Sequence, residues 1–207
     1  MKVYFVRHGE SEYNVLYLHQ HEKVGLSEKG IKQAKILAKR FSKIPINIIY
    51  SSPLKRAKQT VEIINKTVKK KIIYSDFLKE RKRPSEFLGK KADSSEVLKI
   101  HEIINPHDND PLWHYSDEEN FIEFKKRVKK FFDVLAKTKK ENILVVTHGG
   151  PIKILVLTMM LGDELTPEIF RKFADLFELS NTGITLCEKN EKGKWIVRVF
   201  NDHTHLG

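Results

Sequence analysis

Two histidines stand at equivalent places in this chain. His8 lies between Arg7 and Gly9 directly after the apolar residues 3–6, and His148 lies before Gly149 after the apolar residues 143–146 and Thr147. Unbroken apolar runs of that length read as buried strands, and the polar residues arrive where each strand would leave its sheet. A third such place is Ser51-Ser52-Pro53, which follows the apolar run 46–50 and is followed by Arg56. Open α/β sheets bind ligands outside the carboxyl ends of their strands. The three strand ends therefore predict one pocket holding Arg7, His8, Arg56 and His148. Arg56 would sit in the first turn of a helix, and the Gly149 amide just ahead of another, so free N–H groups and positive dipole ends join the cluster. All of it favours an anion.

Two histidines and two arginines make a poor metal cage, because arginine repels cations and a metal needs three or four neutral or anionic ligands. They make a good phosphoryl cage. A neutral imidazole can attack phosphorus to form a phosphohistidine, while guanidinium groups match the phosphoryl oxygens and spread their charge. The leaving alkoxide then needs a proton, which a carboxylic acid held protonated by apolar or anionic surroundings supplies.

The positioning elements follow from periodicity. Residues 26–41 carry Ile31, Ala34, Leu37, Ala38 and Phe41 at helical spacing, with Ser27 as cap. Residues 46–50 predict a strand that feeds a helix opening near Pro53. Residues 71–80 predict a short strand running into a loop with Glu80. Residues 121–135 regain the helical stripe, and residues 143–146 give a strand before a helix opened by Pro151. Two strands around a turn with Gly193 close the chain. The alternation predicts a three-layer α/β/α sandwich with a mostly parallel central sheet and one antiparallel edge strand from the tail. Residues 1–207 read as a single domain. Pro106, Asn109, Pro111 and several Asp without steady period mark an irregular, cap-like insertion at about 90–128.

VRHGESEYN, GLSEKGIKQA, YSSPLKRAKQT, FLKER, VVTHGG, SNTGIT and the closing HL resemble, in order, the motifs of the histidine phosphatase superfamily, which includes phosphoglycerate mutases and small phosphatases. The resemblance implies the phosphoglycerate mutase-like fold and a metal-independent phosphomonoesterase without cofactor. It implies that His8 is the nucleophile, that Arg7, Arg56 and His148 hold the phosphoryl group, and that Glu80 is general acid and then base. Asn14 and the Gly149 backbone would complete the phosphate pocket. After Glu80 the chain reads ERKRPSEFLGK, which departs from the tyrosine- and glycine-bearing segment of the mutases and favours hydrolysis over isomerisation. A phosphoglycerate mutase is the alternative, and a phosphoprotein phosphatase or inactive phosphate-binding module is another.

Blander readings compete at each place. A single histidine after a strand is usually structural, so convergence with His148 and Arg56 carries the inference for His8. Glu10, Glu12 and Glu86 compete with Glu80. Asn14 and Ser11 both suit a cap. Arg81, Lys82 and Arg83 could draw a second anionic group of the substrate or form a solvated loop, and Arg83 is taken as substrate-binding. His19, His21, His101, His107, His114, His203 and His205 are expected at the surface, and Trp113 and Tyr115 are expected to anchor the insertion. Lys and Arg number 38 against 27 Asp and Glu, a formal charge of +11, spread over wet helix faces. No clustered basic helix with interleaved aromatics suggests nucleic acid. Cys187 alone excludes an internal disulfide. With no run of about eighteen apolar residues, the expectation is a soluble cytoplasmic protein, without membrane or nucleic-acid partners, acting on a small phosphate ester, with a homodimer left open.

Overall fold

Every strand expected from the apolar runs forms in the computed structural model, which describes residues 1–207. Strand β1 (Lys2–Arg7) leads through a short helix α1 (Glu12–Val15) into α2 (Glu28–Phe41). Strand β2 (Ile48–Ser51) feeds α3 (Lys55–Val68), and β3 (Ile72–Tyr74) runs into a 3₁₀ turn at Asp76–Leu78 just before Glu80. Then come α4 (Ser95–Ile104), α5 (Phe121–Lys137), β4 (Asn142–Thr147), α6 (Gly149–Leu161), α7 (Pro167–Leu176), β5 (Ile184–Lys189) and β6 (Trp195–Asp202).

The six strands lie in the order β3-β2-β4-β1-β5-β6. Strands β1 to β4 pair in parallel, whereas β5 runs antiparallel to β1 and β6 antiparallel to β5. The tail thus adds two strands through antiparallel pairings: β5 alone runs against the parallel set, but it lies inside the sheet, and β6, directed like β1, forms the edge.

Central strands carry unbroken apolar runs because the sheet is covered on both faces. Val3, Phe5, Ile143 and Val145 join α5 and α6 in one core, and Val6, Leu144 and Val146 join α2 and α3 in the other. The helix that follows β1 and the helix that follows the neighbouring β4 thus pack on opposite faces, which opens a crevice between those two strand ends.

Two glycines set the first turn. The Gly9 site faces the Gly30 carbonyl at 2.7 Å from where a Cβ would stand, and a Cβ on Gly30 would lie 1.9 Å from the Glu10 oxygen. The loop carrying His8 therefore rests directly on α2, pinned further by Ser27, whose N–H donates to the Glu10 carbonyl at 2.9 Å.

Several boundaries differ from the sequence expectation. Helix α3 begins two residues after Pro53 and α6 two residues before Pro151. The insertion is not irregular throughout, because it contains α4, anchored by the fully buried Val97. It also ends before 128: Phe121, Phe124 and Val128 belong to the main core, so α5 is part of the sandwich from its first turn. Helix α7, capped by Thr166 with Pro167 at its start, fills a stretch for which no element was expected. No helix is long and apolar enough to cross a membrane.

Gly30→Ala is expected to cost roughly 1–3 kcal/mol, since the added methyl would meet the Glu10 backbone, which cannot swing aside as a side chain could. Lys29→Ala on the exposed face should stay within about 0.5 kcal/mol. Urea midpoints of the two variants against the unsubstituted chain check this.

Candidate active site

Register brings the two histidines together. Arg7 pairs with Thr147 across β1 and β4, so the next residue of each strand is a histidine. The His8 N–H donates to the Thr147 carbonyl at 2.9 Å. The imidazole centroids of His8 and His148 stand 5.1 Å apart, edge to face.

The His8 ring is fixed chemically as well as spatially. Its Nδ1 lies 2.7 Å from the Gly9 carbonyl, which can only accept, so Nδ1 carries the proton and Nε2 keeps its lone pair. The Arg56 Nε–H donates to that Nε2 at 3.3 Å. Thr60 ties the two residues: its hydroxyl accepts from the Gly9 N–H at 3.0 Å and donates to the Arg56 carbonyl at 2.7 Å. Asn181 donates from Nδ2 to the His8 carbonyl at 3.0 Å, and so locks the end of β1 from the other side.

Burial and like charge keep both imidazoles neutral. His8 is held well below the ordinary histidine value by desolvation, then by Arg56 and Arg7. His148 is held there by desolvation, then chiefly by Arg56 and His8. Burial also brings Arg56 down to about 10, against the opposing pull of Glu80, and it lowers Arg7. Both guanidinium groups stay charged at neutral pH. The Arg7 guanidinium is oriented by the Leu179 carbonyl.

Glu80 faces the same cavity. Its Oε1 accepts from the Arg81 N–H at 2.9 Å, and its Oε2 from the Gly150 N–H at 3.4 Å. A Cβ at position 150 would stand 2.3 Å from Oε1, so only glycine lets the carboxylate reach the first turn of α6. Gly149, the first residue of α6, also lines the cavity, and its N–H has no acceptor within the helix.

The cavity encloses about 1060 Å³ and is bounded by Arg7, His8, Arg56, Glu80, Gly149 and Arg83, among others. His148, fully buried against His8, is not itself among the residues that border the cavity. Most acids around the cavity are paired: Lys79 with Glu22 and Asp76, Lys82 with Asp117, and Arg127 with Glu119. Arg7, Arg56, Arg81, Arg83 and Lys153 make no ion pair, so the lining has cationic capacity to spare for an anion.

Asn14 lies elsewhere. Its side-chain oxygen accepts from the Ser11 N–H and hydroxyl, at 3.1 and 3.0 Å, in the capping box of α1, and it does not border the cavity. The cap reading describes its place, because a short helix that starts in a loop needs its first N–H groups satisfied locally.

Other residues went unnoticed in the sequence. Arg127 spends its whole fork on the segment that carries Glu80. It grips Glu119 from Nε and Nη2, and donates to the carbonyls of Asp76, Phe77, Lys79 and Glu80. Its signal was present: an arginine three residues after Phe124 and one before Val128 lies on the apolar stripe of α5. His19 and His21 also border the cavity, contrary to the surface expectation, and His19 stacks on Phe87, which in turn lies against His101. Trp113 stacks face to face on His107, within the insertion. No group of three or more His, Cys, Asp or Glu side chains is arranged to hold a metal ion.

The histidine phosphatase superfamily (branch 1) profile matches residues 3–203. The metal-independent phosphoserine phosphatase of Arabidopsis thaliana is 29% identical over 210 residues, 99% of this chain and 83% of its own. A mutant phosphoserine phosphatase of Entamoeba histolytica, solved with phosphoserine, superposes with a TM-score of 0.78 at 28% identity, covering 100% of this chain and 99% of that one. Bacillus stearothermophilus YhfR reaches a TM-score of 0.84 at 26% identity, covering 100% and 99%.

A histidine buried neutral binds fewer protons than when unfolded, so stability rises with pH across the gap between its two pKa values and is lost as pH falls below 6.5. His8 and His148 should each contribute up to about 1.4 kcal/mol per pH unit there. Urea unfolding between pH 6.5 and 5 is expected to show that decline, with a shallower slope in His148→Asn.

Proposed function

The chain belongs to the histidine phosphatase superfamily, branch 1, and from that premise and the geometry of the cavity we propose that it hydrolyses a small phosphate monoester through a phosphohistidine on His8. The observation that carries this reading is the His8 ring itself: a neutral imidazole with Nδ1–H spent on Gly9 and Nε2 held against the Arg56 guanidinium. A nucleophile of that kind needs its lone pair free of a proton at neutral pH, and burial beside two arginines ensures it.

In the first step Nε2 of His8 bonds to phosphorus and the bond from phosphorus to the ester oxygen breaks. Protonated Glu80 gives its proton to the leaving alkoxide, which departs as an alcohol. In the second step the Glu80 carboxylate takes a proton from water, whose oxygen attacks phosphorus. The bond to Nε2 breaks and inorganic phosphate leaves. Arg7, Arg56, the Gly149 N–H and His148 bind the phosphoryl oxygens, whose charge is most spread in the transition state.

Arg81, Arg83 and Lys153 line the same cavity without carboxylate partners, which supports a substrate with a second anionic group beside the phosphate. Residues 1–207 act as one domain in which the insertion, ending near Glu119, forms a cap over the entrance. Asp117 and Glu119 border the cavity from it. A covered pocket suits a metabolite better than a protein side chain.

An aryl phosphate should be hydrolysed in EDTA, with an acid-labile phosphoenzyme trapped on quenching. His8→Ala is expected to abolish both, and Glu80→Gln to lower kcat on alkyl phosphates about 10²- to 10⁴-fold. Undiminished turnover by His8→Ala would refute the scheme.

Arg83→Ala should raise KM for a phosphate ester that also bears a carboxylate by about tenfold, in line with the loss of one charged hydrogen bond. The aryl phosphate should be unaffected. Kinetics on the two substrates side by side decide this.

A further inference from the structure

His148 is completely buried, yet its two ring nitrogens fare differently. Nε2 lies 2.8 Å from the Ser52 hydroxyl oxygen, and Nδ1 makes no hydrogen bond. Ser52 is also completely buried. Its Oγ has one other partner, the Leu54 N–H at 3.3 Å, which can only donate.

The protons can be counted. Suppose Nε2 carried the imidazole proton. It would donate into an oxygen that already accepts from Leu54, the Ser52 O–H would have no acceptor, and Nδ1 would be a buried lone pair without a donor. Two groups would go unmet. Suppose instead that the Ser52 O–H donates to Nε2. The hydroxyl is then satisfied on both sides, and the one unmet group is an Nδ1–H. Each buried polar group left without a partner is destabilising. The second arrangement therefore prevails. A doubly protonated ring is ruled out by burial and by the neighbouring Arg56, His8 and Arg7.

We propose that Ser52 is a positioning residue whose hydroxyl locks His148 as the Nδ1–H tautomer, so that this imidazole offers a neutral N–H donor to a phosphoryl oxygen bound beside His8. The inference rests on the phosphoryl-site reading above. It gives the paired imidazoles opposite characters. Gly9 fixes His8 with a bare Nε2, the nucleophilic atom of the proposed reaction. Ser52, from the end of the neighbouring strand β2, fixes His148 as a donor for oxygen. A lone pair in place of that N–H would repel the same oxygen.

The test is long-range ¹H–¹⁵N correlation on histidine-labelled protein, with the His148 signals identified by their loss in His148→Asn. The unsubstituted protein should show His148 protonated at Nδ1 and bare at Nε2, with Nδ1 shifting when orthovanadate is added. Ser52→Ala should mix or invert the tautomers and weaken orthovanadate binding about 10- to 100-fold, the loss of one hydrogen bond to a charged group. Ser52→Thr should restore both. A proton on Nε2 in the unsubstituted protein would overturn the role of Ser52, and that measurement stands whether or not Ser52→Ala folds. Wild-type tautomer and affinity in a folded Ser52→Ala would overturn it too. His148 signals indifferent to orthovanadate would overturn the phosphoryl-site reading and the donor role together.

Discussion

Everything at the site depends on how β1 and β4 lie against each other. They are neighbours at the centre of the sheet, parallel, with Arg7 opposite Thr147. One residue further along, the two chains part toward opposite faces, and at that parting stand His8 and His148. Side-chain direction alternates along a strand, so a slip of a single residue would turn Val3, Phe5, Ile143 and Val145 away from the core they fill. The packing that fixes the fold therefore also fixes the distance between the two imidazoles.

Around that pair the protein accumulates positive charge in a place with little water. Arg56 is 3% exposed and His8 is 3% exposed, and no carboxylate forms an ion pair with Arg56 or Arg7. Burying unpaired guanidinium groups is costly, and the cost shows in their lowered proton affinity. Two of the cavity's carboxylates are engaged elsewhere, Glu119 on Arg127 and Glu22 on Lys79, while Glu80 and Glu178 attract the guanidinium groups without forming an ion pair with them. A bound dianion would relieve that tension, which is the electrostatic side of the phosphate-site proposal.

The sequence made the strand ends legible because the chemistry there is local. An apolar run that stops at Arg-His-Gly shows both the strand and the polar cluster, and the geometry brings Arg7, His8, Arg56, Glu80 and Gly149 to one cavity. Residues whose work lies with distant backbone were hidden. Arg127 serves carbonyls about fifty positions away, Thr60 joins Gly9 to Arg56, and Ser52 meets a histidine 96 residues on. Apart from the place of Arg127 on the apolar stripe of α5, none of these partnerships leaves a mark on neighbouring residues. Helices α4 and α7 were missed for different reasons. Helix α4 buries only Val97 among apolar residues scattered round the helix. Helix α7 does carry an apolar stripe, with Phe170 and Phe173 packed on the core, which the sequence reading passed over. Asn14 was ambiguous because its type suits a ligand and a cap equally well, and its side chain lies in the cap of α1.

The insertion is fastened unequally at its two ends. At the start, Gly89 and Ala92 join His19 and Tyr17 through main-chain hydrogen bonds, with Gly89 in the left-handed region at φ 77°. At the finish, Glu119 receives Arg127 on its carboxylate, the Lys82 amide on the same group and Arg81 on its carbonyl. An insertion transplanted from another member of this fold would need little more than a glycine at the first junction. At the second it would have to bring its own acid, or the recipient's arginine would be stranded and the neighbouring loop set adrift.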